Sequence, residues 1–362
     1  MDLTDAPKIS VVLSVYNGEK YLQDALDSLL EQTIDGFEIV LIDDASTDGT
    51  ADIVTNFSRS LRELDKNYSF KNLRNKSNLG LTKSLNIGLL IATGEYVARL
   101  DADDINYPTR LALQANYLDS HPDITLVACR SIFFDGDGKY LRKDNCPINS
   151  SYLAWLMLFY CPFSHSAVMF RRQYVINEYG AYNEKFEYSQ DYELWSRICL
   201  KDKIGIVPDY LVNVREVNQS MTNMMGELVE EEPVTISSTS MQWYMSSEKY
   251  VLDNDQIINL KNLWLENKLS NVVNMQENLT IYKKLLNAFV TQLDNTDKEN
   301  VMFKKYLSYV AANKLKKQFL LNNESNVRAT LSSLKEYSRI FGIPSAVSVL
   351  LRIFTKNKTI FQ

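Results

Sequence analysis

Residues that bind transition metals or form disulfides are scarce in this chain. It has four cysteines and two histidines among 362 residues, and no two cysteines form a CxxC pair. A zinc site and a disulfide framework are therefore both disfavoured. We expect Cys129, Cys146, Cys161 and Cys199 to be buried, reduced thiols of a cytoplasmic protein.

Long apolar runs are missing as well. The first residues, Met1–Pro7, hold two aspartates and no apolar stretch, so we expect no secretory signal. The longest apolar stretches, Ile87–Thr93 and Trp155–Tyr160, are less than half of the ~18 residues that a membrane-spanning helix needs. The sequence therefore disfavours an integral membrane protein.

The glycine-rich motifs that cradle phosphate groups do not occur. The first predicted strand leads into Ser14-Val15-Tyr16-Asn17-Gly18 where a GxGxxG motif would stand, and GxxxxGK[ST] is found nowhere. A dinucleotide-dependent oxidoreductase and a P-loop enzyme are therefore disfavoured. A phosphate-bearing ligand would have to be neutralised mainly by a metal ion.

The formal net charge of −6 is unevenly spread. Residues 301–362 carry eleven basic and two acidic residues, whereas residues 1–300 carry 28 basic and 43 acidic ones. Within this basic tail, Ser345–Phe354 is apolar and is followed by Lys356 and Lys358, which is typical of an element that binds a membrane surface. The alternative is a helix that packs on the rest of the protein or on a second subunit, so an oligomer is compatible with the sequence. Nucleic-acid binding is disfavoured, because the acidic body would repel phosphates and no known motif occurs.

Strand and helix patterns alternate in the first part of the chain. Continuous β-branched or apolar runs at Ile9–Val15, Phe37–Ile42 and Tyr96–Leu100 predict buried strands, and helical spacing follows in between, as at Leu81–Ile91. Short connections of this kind favour one mostly parallel, doubly wound α/β sheet flanked by helices. Strand patterns nearly vanish after Met221. We therefore expect a catalytic domain over residues 1–225 and a mainly helical region over residues 226–362.

Two acidic clusters follow predicted strands. Asp43-Asp44 comes after FEIVLI, and Asp101-Ala102-Asp103-Asp104 comes after EYVARL. Ligands of open α/β sheets bind at the carboxyl ends of strands. Three carboxylates so close together repel one another unless a cation neutralises them, and oxygen-only ligands favour Mg²⁺ or Mn²⁺. The alternative is that Asp103 and Asp104 cap a helix ahead of Pro108.

The chain resembles the family 2 glycosyltransferases in several motifs that occur in the family's order: KISVVLSVYNGEKYLQDALDSLLEQT, FEIVLIDDASTDGT and NLGLTKSLNIGLLIATGEYVARLDADDINYPTRL. The resemblance extends from Lys8 to about Ser220. It implies the A-type glycosyltransferase fold, which is Rossmann-like, and a nucleotide-sugar donor, with a UDP-sugar favoured. It also implies transfer of a hexosyl or N-acetylhexosaminyl group.

The resemblance implies a set of donor-binding residues. The loop after the first strand would contact the base and ribose through Ser14, Tyr16 and Asn17. Asp44 would read the edge of the base. The segment near the sugar nucleotide would contribute Asn78, Gly80 and Lys83.

The acidic cluster after the third predicted strand corresponds to the family's DxD motif. It implies that Asp101, Asp103 and Asp104 contact the ribose and hold Mn²⁺ or Mg²⁺ on the diphosphate, with Asp103 favoured as the direct metal ligand. His165, in PFSHSAVMFRR, matches a recurrent histidine near the acceptor site. The alternative for His165 is a histidine at the edge of the core that bonds to the backbone.

Asp191, in YSQDYELWSR, matches the family's catalytic aspartate, although Gln190 stands where glutamate is common. A carboxylate at a helix N-terminus is favoured in its charged form and can accept a proton from an acceptor hydroxyl. One displacement would then invert the anomeric centre. The alternative is that Asp191 simply caps the helix.

Two departures bear on the kind of enzyme. Arg215 resembles part of the family's YRxH element, but Val217 stands where histidine is frequent, which implies a metal site of carboxylates and phosphate only. No QxxRW follows Asp191, and no membrane-spanning helix is predicted. A processive synthase is therefore disfavoured. We expect a non-processive enzyme that acts on a glycan or lipid-linked oligosaccharide, as in O-antigen or capsule biosynthesis, on the cytoplasmic side of the membrane. The alternatives are a catalytically silent glycan-binding or assembly protein and a nucleotidyltransferase, although the latter would need a glycine-rich basic loop after the first strand.

Overall fold

The computed structural model describes residues 7–63, 68–216, 228–246, 250–265, 275–293, 303–304 and 306–307. The chain forms two compact units, of which the first ends at Ile236 and the second begins at Ser237. The apolar tail segment Ser345–Phe354 and the lysines after it lie outside the described residues. The prediction made for that segment therefore stays a prediction.

Nine strands are described in the first unit: β1 (Ile9–Val15), β2 (Glu38–Asp43), β3 (Ser69–Arg74), β4 (Tyr96–Arg99), β5 (Ile105–Asn106), β6 (Ile124–Asp135), β7 (Tyr140–Lys143), β8 (Val168–Arg171) and β9 (Lys203–Glu216). Its helices are α1 (Leu22–Leu30), α2 (Thr50–Glu63), α3 (Leu81–Ile91), α4 (Arg110–Ser120), α5 (Ser150–Leu156), α6 (Arg172–Tyr179) and α7 (Gln190–Cys199), with a 3₁₀ turn at His165–Ala167. Helix α8 (Leu228–Met245) begins in this unit, and α9 (Asn254–Leu265) and α10 (Met275–Thr291) belong to the second.

All nine strands join one mixed sheet in the order β3-β2-β1-β4-β8-β6-β9-β5, with β7 paired to β6. Strands β1 to β4 are parallel to their neighbours among themselves, whereas β8 runs antiparallel to β4 and β6. Val15 lies opposite Asp43, and Val12 lies opposite Arg99. The carboxyl ends of β1, β2 and β4 therefore meet at one edge, which is where the acidic clusters were predicted.

Both faces of the sheet are covered, as the predicted α/β fold requires. Val11 and Leu13 of β1 belong to the apolar cluster that α1 helps to build, and Val12 belongs to the opposite cluster with Leu85 and Leu89 of α3. A strand buried on both sides has no polar face, which explains the unbroken apolar run of β1.

Some elements and one thiol differ from the sequence-based expectation. Strand β3 was not predicted, because its residues SFKNLR are mostly exposed and carry no apolar run. Helix α4 was also not predicted, since it buries the polar Arg110 and Gln114 together with its apolar residues. All four cysteines are free, but Cys161 is partly exposed, so the expectation of four buried thiols is wrong for that residue.

None of the described helices is long and apolar enough to cross a bilayer.

Candidate active site

The loops after β1 and β2 are bound to each other. Asn17 has a left-handed backbone (φ 53°), its N–H donates to Ser46 Oγ at 2.9 Å, and its Oδ1 accepts from the Thr47 N–H at 2.7 Å. Ser14 lies buried beneath this junction, and Tyr16 is 51% exposed. Of the three residues predicted to contact a base and ribose, Ser14 therefore belongs to the end of β1, and Tyr16 and Asn17 to the loop after it, where Asn17 is firmly held.

Asp44 joins this loop pair to the segment ahead of α3. Its Oδ1 accepts from Asn75 Nδ2 at 2.7 Å and from the Leu79 N–H at 2.8 Å, and its Oδ2 accepts from the Gly80 N–H at 2.8 Å. Gly80 has φ 89°, a conformation that favours glycine. Asp44 is 2% exposed, so this carboxylate orders the predicted sugar-nucleotide segment from below. Its predicted contact with the base stays a prediction.

The other two residues of that segment are exposed. Asn78 donates nothing in the described contacts but accepts from the Gly80 N–H at 3.1 Å, and Lys83 lies on the first turn of α3. The structure thus brings the predicted donor residues after β1, β2 and β3 to the same edge of the sheet.

Arg99, the last residue of β4, is fully buried beneath the acidic cluster. Its Nη2 donates to Asp101 Oδ1 at 2.6 Å, and its Nε donates to His165 Nε2 at 2.9 Å. Its Nη1 donates to the carbonyl oxygens of Val12 and Leu100. Arg99 was not among the predicted site residues, although a charged residue inside the apolar run EYVARL could have indicated a functional role.

His165 lies behind Asp101 and is buried. A guanidinium can only donate, so the bond from Arg99 requires an unprotonated Nε2, to which the Tyr182 hydroxyl also donates at 2.9 Å. The proton of the neutral ring is therefore on Nδ1, which lies 3.9 Å from Asp101 Oδ1. Burial and the charge of Arg99 lower the pKa of His165 to about 3. The described contacts of His165 are with these side chains, and its predicted contact with a ligand stays untested.

The three carboxylates of the acidic cluster differ in environment. Burial opposes ionisation of Asp101, but the Arg99 guanidinium holds its pKa below the ordinary value. Burial and the charge of Asp101 raise the pKa of Asp103 to about 6. Burial together with both neighbouring carboxylates raises the pKa of Asp104 well above its ordinary value. Asp104 is 3% exposed and accepts from the Arg215 N–H at 2.9 Å, so it ties the cluster to β9.

A divalent cation fits this cluster only in part. Within the described ranges, no group of three histidine, cysteine, aspartate or glutamate side chains could hold a metal by itself. Asp101 and Asp103 are partly exposed, and their mutual repulsion is what a cation would relieve. Mg²⁺ is commonly bound by one or two carboxylates plus substrate phosphates, so these residues fit a site that a diphosphate completes. Helix α4 starts at Arg110 with Thr109 at its N-cap, so the alternative of a helix cap at Asp103 and Asp104 is wrong.

Asp191 lies in the first turn of α7, one turn above the fully buried Trp195. Ser189 occupies the N-cap, and Asp191 Oδ1 accepts from the Tyr192 N–H at 2.6 Å. Burial raises the pKa of Asp191 to about 6, and the negative charge of Asp101 adds to this rise. A half-buried carboxylate with a pKa close to neutrality suits a general base.

Known proteins share this arrangement of motifs. Residues 10–180 match Glycosyl transferase family 2. An uncharacterized glycosyltransferase of Haemophilus influenzae is 30% identical over 253 residues, which cover 67% of this chain and 76% of that protein. The chain belongs to glycosyl transferase family 2. The amylovoran biosynthesis glycosyltransferase AmsE of Erwinia amylovora is 35% identical to it over 220 residues, covering 60% of this chain and 79% of AmsE.

Solved structures share the fold of this glycosyltransferase. The crystal structure of S. aureus TarS 1–349 has a TM-score of 0.54 at 19% identity and covers 92% of this chain and 90% of that one. The complex of TarS 1–349 with UDP has a TM-score of 0.51 at 18% identity, with the same coverage. The predicted fold class, an A-type glycosyltransferase sheet flanked by helices, is confirmed.

Arg215, near the end of β9, contacts the acidic cluster. Its N–H bonds to Asp104, its Nε donates to the Asp103 carbonyl oxygen at 3.1 Å, and its guanidinium carbon lies 4.2 Å from the centre of the Tyr21 ring. Arg215 therefore bonds to both the backbone and a side chain of the acidic cluster. Val217, where the family often has histidine, lies outside the described residues.

Proposed function

We propose that this glycosyltransferase moves a hexosyl or N-acetylhexosaminyl group from a nucleotide sugar to a glycan or lipid-linked oligosaccharide, non-processively and with inversion. The main support is the neighbourhood of Asp191 and Asp101. A carboxylate with a raised pKa lies within electrostatic reach of the acidic cluster that follows β4. The proposed general base would thus lie near the proposed diphosphate site.

The donor would lie across the carboxyl ends of β1, β2 and β4. Ser14, Tyr16 and Asn17 would hold the base and ribose, and the segment ordered by Asp44 would line the sugar. S. aureus TarS has been crystallised with UDP and with UDP-GlcNAc, which supports a UDP-sugar as donor.

Asp101 and Asp103 would hold Mn²⁺ or Mg²⁺ together with the diphosphate oxygens, and Asp104 would support them from beneath. Such a cation supplies charge neutralisation for the departing nucleoside diphosphate. Arg99 keeps Asp101 ionised for this purpose, because its buried positive charge is bonded directly to that carboxylate.

Asp191 would accept the proton of the acceptor hydroxyl as its oxygen attacks the anomeric carbon from the face opposite the diphosphate. The new glycosidic bond forms as the bond to the diphosphate breaks, so the configuration inverts in one step. A base with a pKa of about 6 is ionised at neutral pH and still basic enough to assist.

A cavity of about 410 Å³ supports an acceptor of sugar size. Its aromatic side chains include Tyr152, Tyr160 and Phe163, and Arg142 and Asn145 add polar groups. Its wall includes Cys161, whose pKa is raised by burial and by the charge of Asp191. Aromatic rings suit the apolar C–H faces of pyranoses, and the polar groups suit their hydroxyls.

The biological setting rests on analogy. AmsE carries the name of amylovoran biosynthesis, which supports surface polysaccharide assembly as the pathway. The enzyme would work in the cytoplasm, with its basic tail on the anionic inner face of the membrane. Co-sedimentation with vesicles of anionic lipid tests the membrane contact of the tail. Vesicle binding that persists in a chain ending near residue 300 would contradict it.

The reaction is tested by incubating the protein with UDP-glucose, UDP-galactose and UDP-GlcNAc and measuring UDP release with and without Mn²⁺. We expect metal-dependent release with at least one donor, and faster release with an accepted sugar. Metal-dependent donor binding without turnover across a broad acceptor panel would favour the catalytically silent alternative instead.

A further inference from the structure

The turn directly ahead of α7 is held by a carboxylate from a distant part of the chain. Glu232, on α8, accepts three successive backbone N–H groups: that of Glu187 at 2.7 Å on Oε1, and those of Tyr188 at 3.0 Å and Ser189 at 2.7 Å on Oε2. Hydrogen bonds to an ionised acceptor are stronger than neutral ones. One side chain thus fixes three consecutive residues of the loop.

Glu232 holds the residues that lead into α7. Ser189, the N-cap residue of α7, provides no side-chain hydrogen bond of its own, and its N–H is one of the three that Glu232 accepts. Successive backbone N–H groups form a concave anion site, which Glu232 fills here. The last of the three residues that it binds, Ser189, lies two positions before Asp191.

The other end of the same loop is bound to α3. Thr82 Oγ1 donates to the Phe186 carbonyl oxygen at 2.9 Å. Asn86 Nδ2 donates to the Tyr182 carbonyl oxygen at 2.9 Å, and the Tyr182 N–H donates to Asn86 Oδ1 at 3.0 Å. The loop 182–189 therefore contacts α3 through Tyr182 and Phe186 and leads into α7, the helix that carries Asp191. Without Glu232, its second half would lose the three bonds that hold it.

We propose that Glu232 is a positioning residue for Asp191: by fixing residues 187–189 it sets the start of α7 and the place of the catalytic carboxylate. This inference rests on the proposed function of Asp191. Glu232 also lies outside residues 10–180, the part of the chain that matches the family. The role is thus assigned by contacts of this chain alone.

The energetic setting favours a role in activity over one in folding. Glu232 is partly exposed, and the turn that it binds begins at the exposed Glu187, so no apolar core is built on the contact. A shift of about 1 Å in a reacting group, however, costs about a hundredfold in rate. Loss of the contact should therefore affect turnover far more than stability.

The test compares Glu232→Gln and Glu232→Asp with Glu231→Gln, which removes the same charge from the exposed neighbouring residue. The donor is whichever of UDP-glucose, UDP-galactose or UDP-GlcNAc the wild type turns over. We expect kcat to fall about ten- to a hundredfold in Glu232→Gln. UDP affinity in Mn²⁺ should stay within about twofold, the Asp variant should be intermediate, and Glu231→Gln should match wild type.

Amide hydrogen exchange gives a readout that does not depend on turnover. In Glu232→Gln, exchange at residues 187–189 should be faster than in Glu231→Gln, while exchange in β1 and β2 stays unchanged.

Three results would overturn the inference. The first is a kcat for Glu232→Gln within twofold of that for Glu231→Gln. The second is unchanged amide exchange at residues 187–189 in Glu232→Gln. The third is an equal loss of kcat and of UDP affinity in Glu232→Gln, since this would indicate general damage to the fold. A wild type that turns over no nucleotide sugar would instead refute the proposed function itself, so the two failures are distinguishable.

Discussion

The Nε of Arg99 donates to Nε2 of His165 at 2.9 Å, so a fully buried guanidinium holds a neutral imidazole behind the acidic cluster. The same guanidinium bonds to Asp101 at 2.6 Å. Arg99 thus connects the first carboxylate of the cluster to the 3₁₀ turn at His165 and, through the Tyr182 hydroxyl, to the loop that leads to α7. The consequences of this link can be measured.

Replacing Arg99 should damage both stability and donor binding. Removing Arg99 leaves the partly exposed Asp101 without its counter-charge and the buried Nε2 of His165 without a donor, and each unsatisfied buried group costs about 1–3 kcal/mol of the free energy of unfolding. Arg99→Met should show this loss in full. Arg99→Lys keeps the charge but not the planar arrangement of N–H donors, so it should lose less stability than Arg99→Met but more than none. Urea unfolding measures this effect. A loss below about 1 kcal/mol in Arg99→Met would contradict the assigned network.

His165 should make the stability of the wild type depend on pH. Its folded pKa of about 3 lies below the ordinary value of 6.5, so the unfolded chain binds the extra proton first as the pH falls. The free energy of unfolding should therefore drop between pH 6.5 and 4, by up to about 1.4 kcal/mol per pH unit from this residue. Urea unfolding of wild type and His165→Gln at several pH values tests this. Parallel slopes in the two proteins would show that His165 is not held neutral.

Asp103→Asn and Asp104→Asn form a matched pair for the metal site. Asp103 is partly exposed, so its amide variant should weaken Mn²⁺-dependent UDP binding about tenfold or more. Asp104 is buried and its raised pKa favours the protonated form, which an amide resembles. Asp104→Asn should therefore bind UDP nearly as well as wild type. Isothermal titration calorimetry with UDP, in Mn²⁺ and in EDTA, measures the UDP affinity of both variants. Weaker UDP binding by Asp104→Asn than by Asp103→Asn would indicate that Asp104 is the direct metal ligand.

The rate of transfer should fall in acid. A general base works only when it is deprotonated, and the pKa of Asp191 is about 6. We therefore expect kcat to be steady near pH 7.5 and to decline as the pH drops through about 6, by tenfold per pH unit below that point. Initial rates at saturating donor and acceptor test this expectation. A rate that does not change down to pH 5 would argue against Asp191 as the base.

The sequence predicted those parts of the fold whose physical cause is local. Strands β1 and β2 are buried on both faces, so their apolar runs are visible in the sequence, and the acidic residues after β2 and β4 lie at the predicted edge. Strand β3 is mostly exposed and leaves no such pattern. Its pairing with β2 adds ion pairs of Lys71 with Glu38 and of Arg74 with Asp43, which join residues that no spacing rule connects.

The parts of the site that were missed depend on contacts between distant residues. Arg99 is 66 positions from His165, and Glu232 is 43 to 45 positions from the N–H groups that it accepts. Asn75 reaches Asp44 only because β3 pairs with β2. No spacing rule links such residues, so only the fold could reveal them. The motif residues Ser14, Asn17, Asp44 and Gly80 were identified through the family resemblance.

The most direct test of the account is to compare Asp191→Asn with wild type at pH 7.5 in Mn²⁺, measuring sugar transfer and UDP affinity on the same samples. The account predicts a kcat about a hundred- to ten-thousandfold lower, because the base is lost, with UDP affinity unchanged. Transfer at the wild-type rate by Asp191→Asn would contradict it.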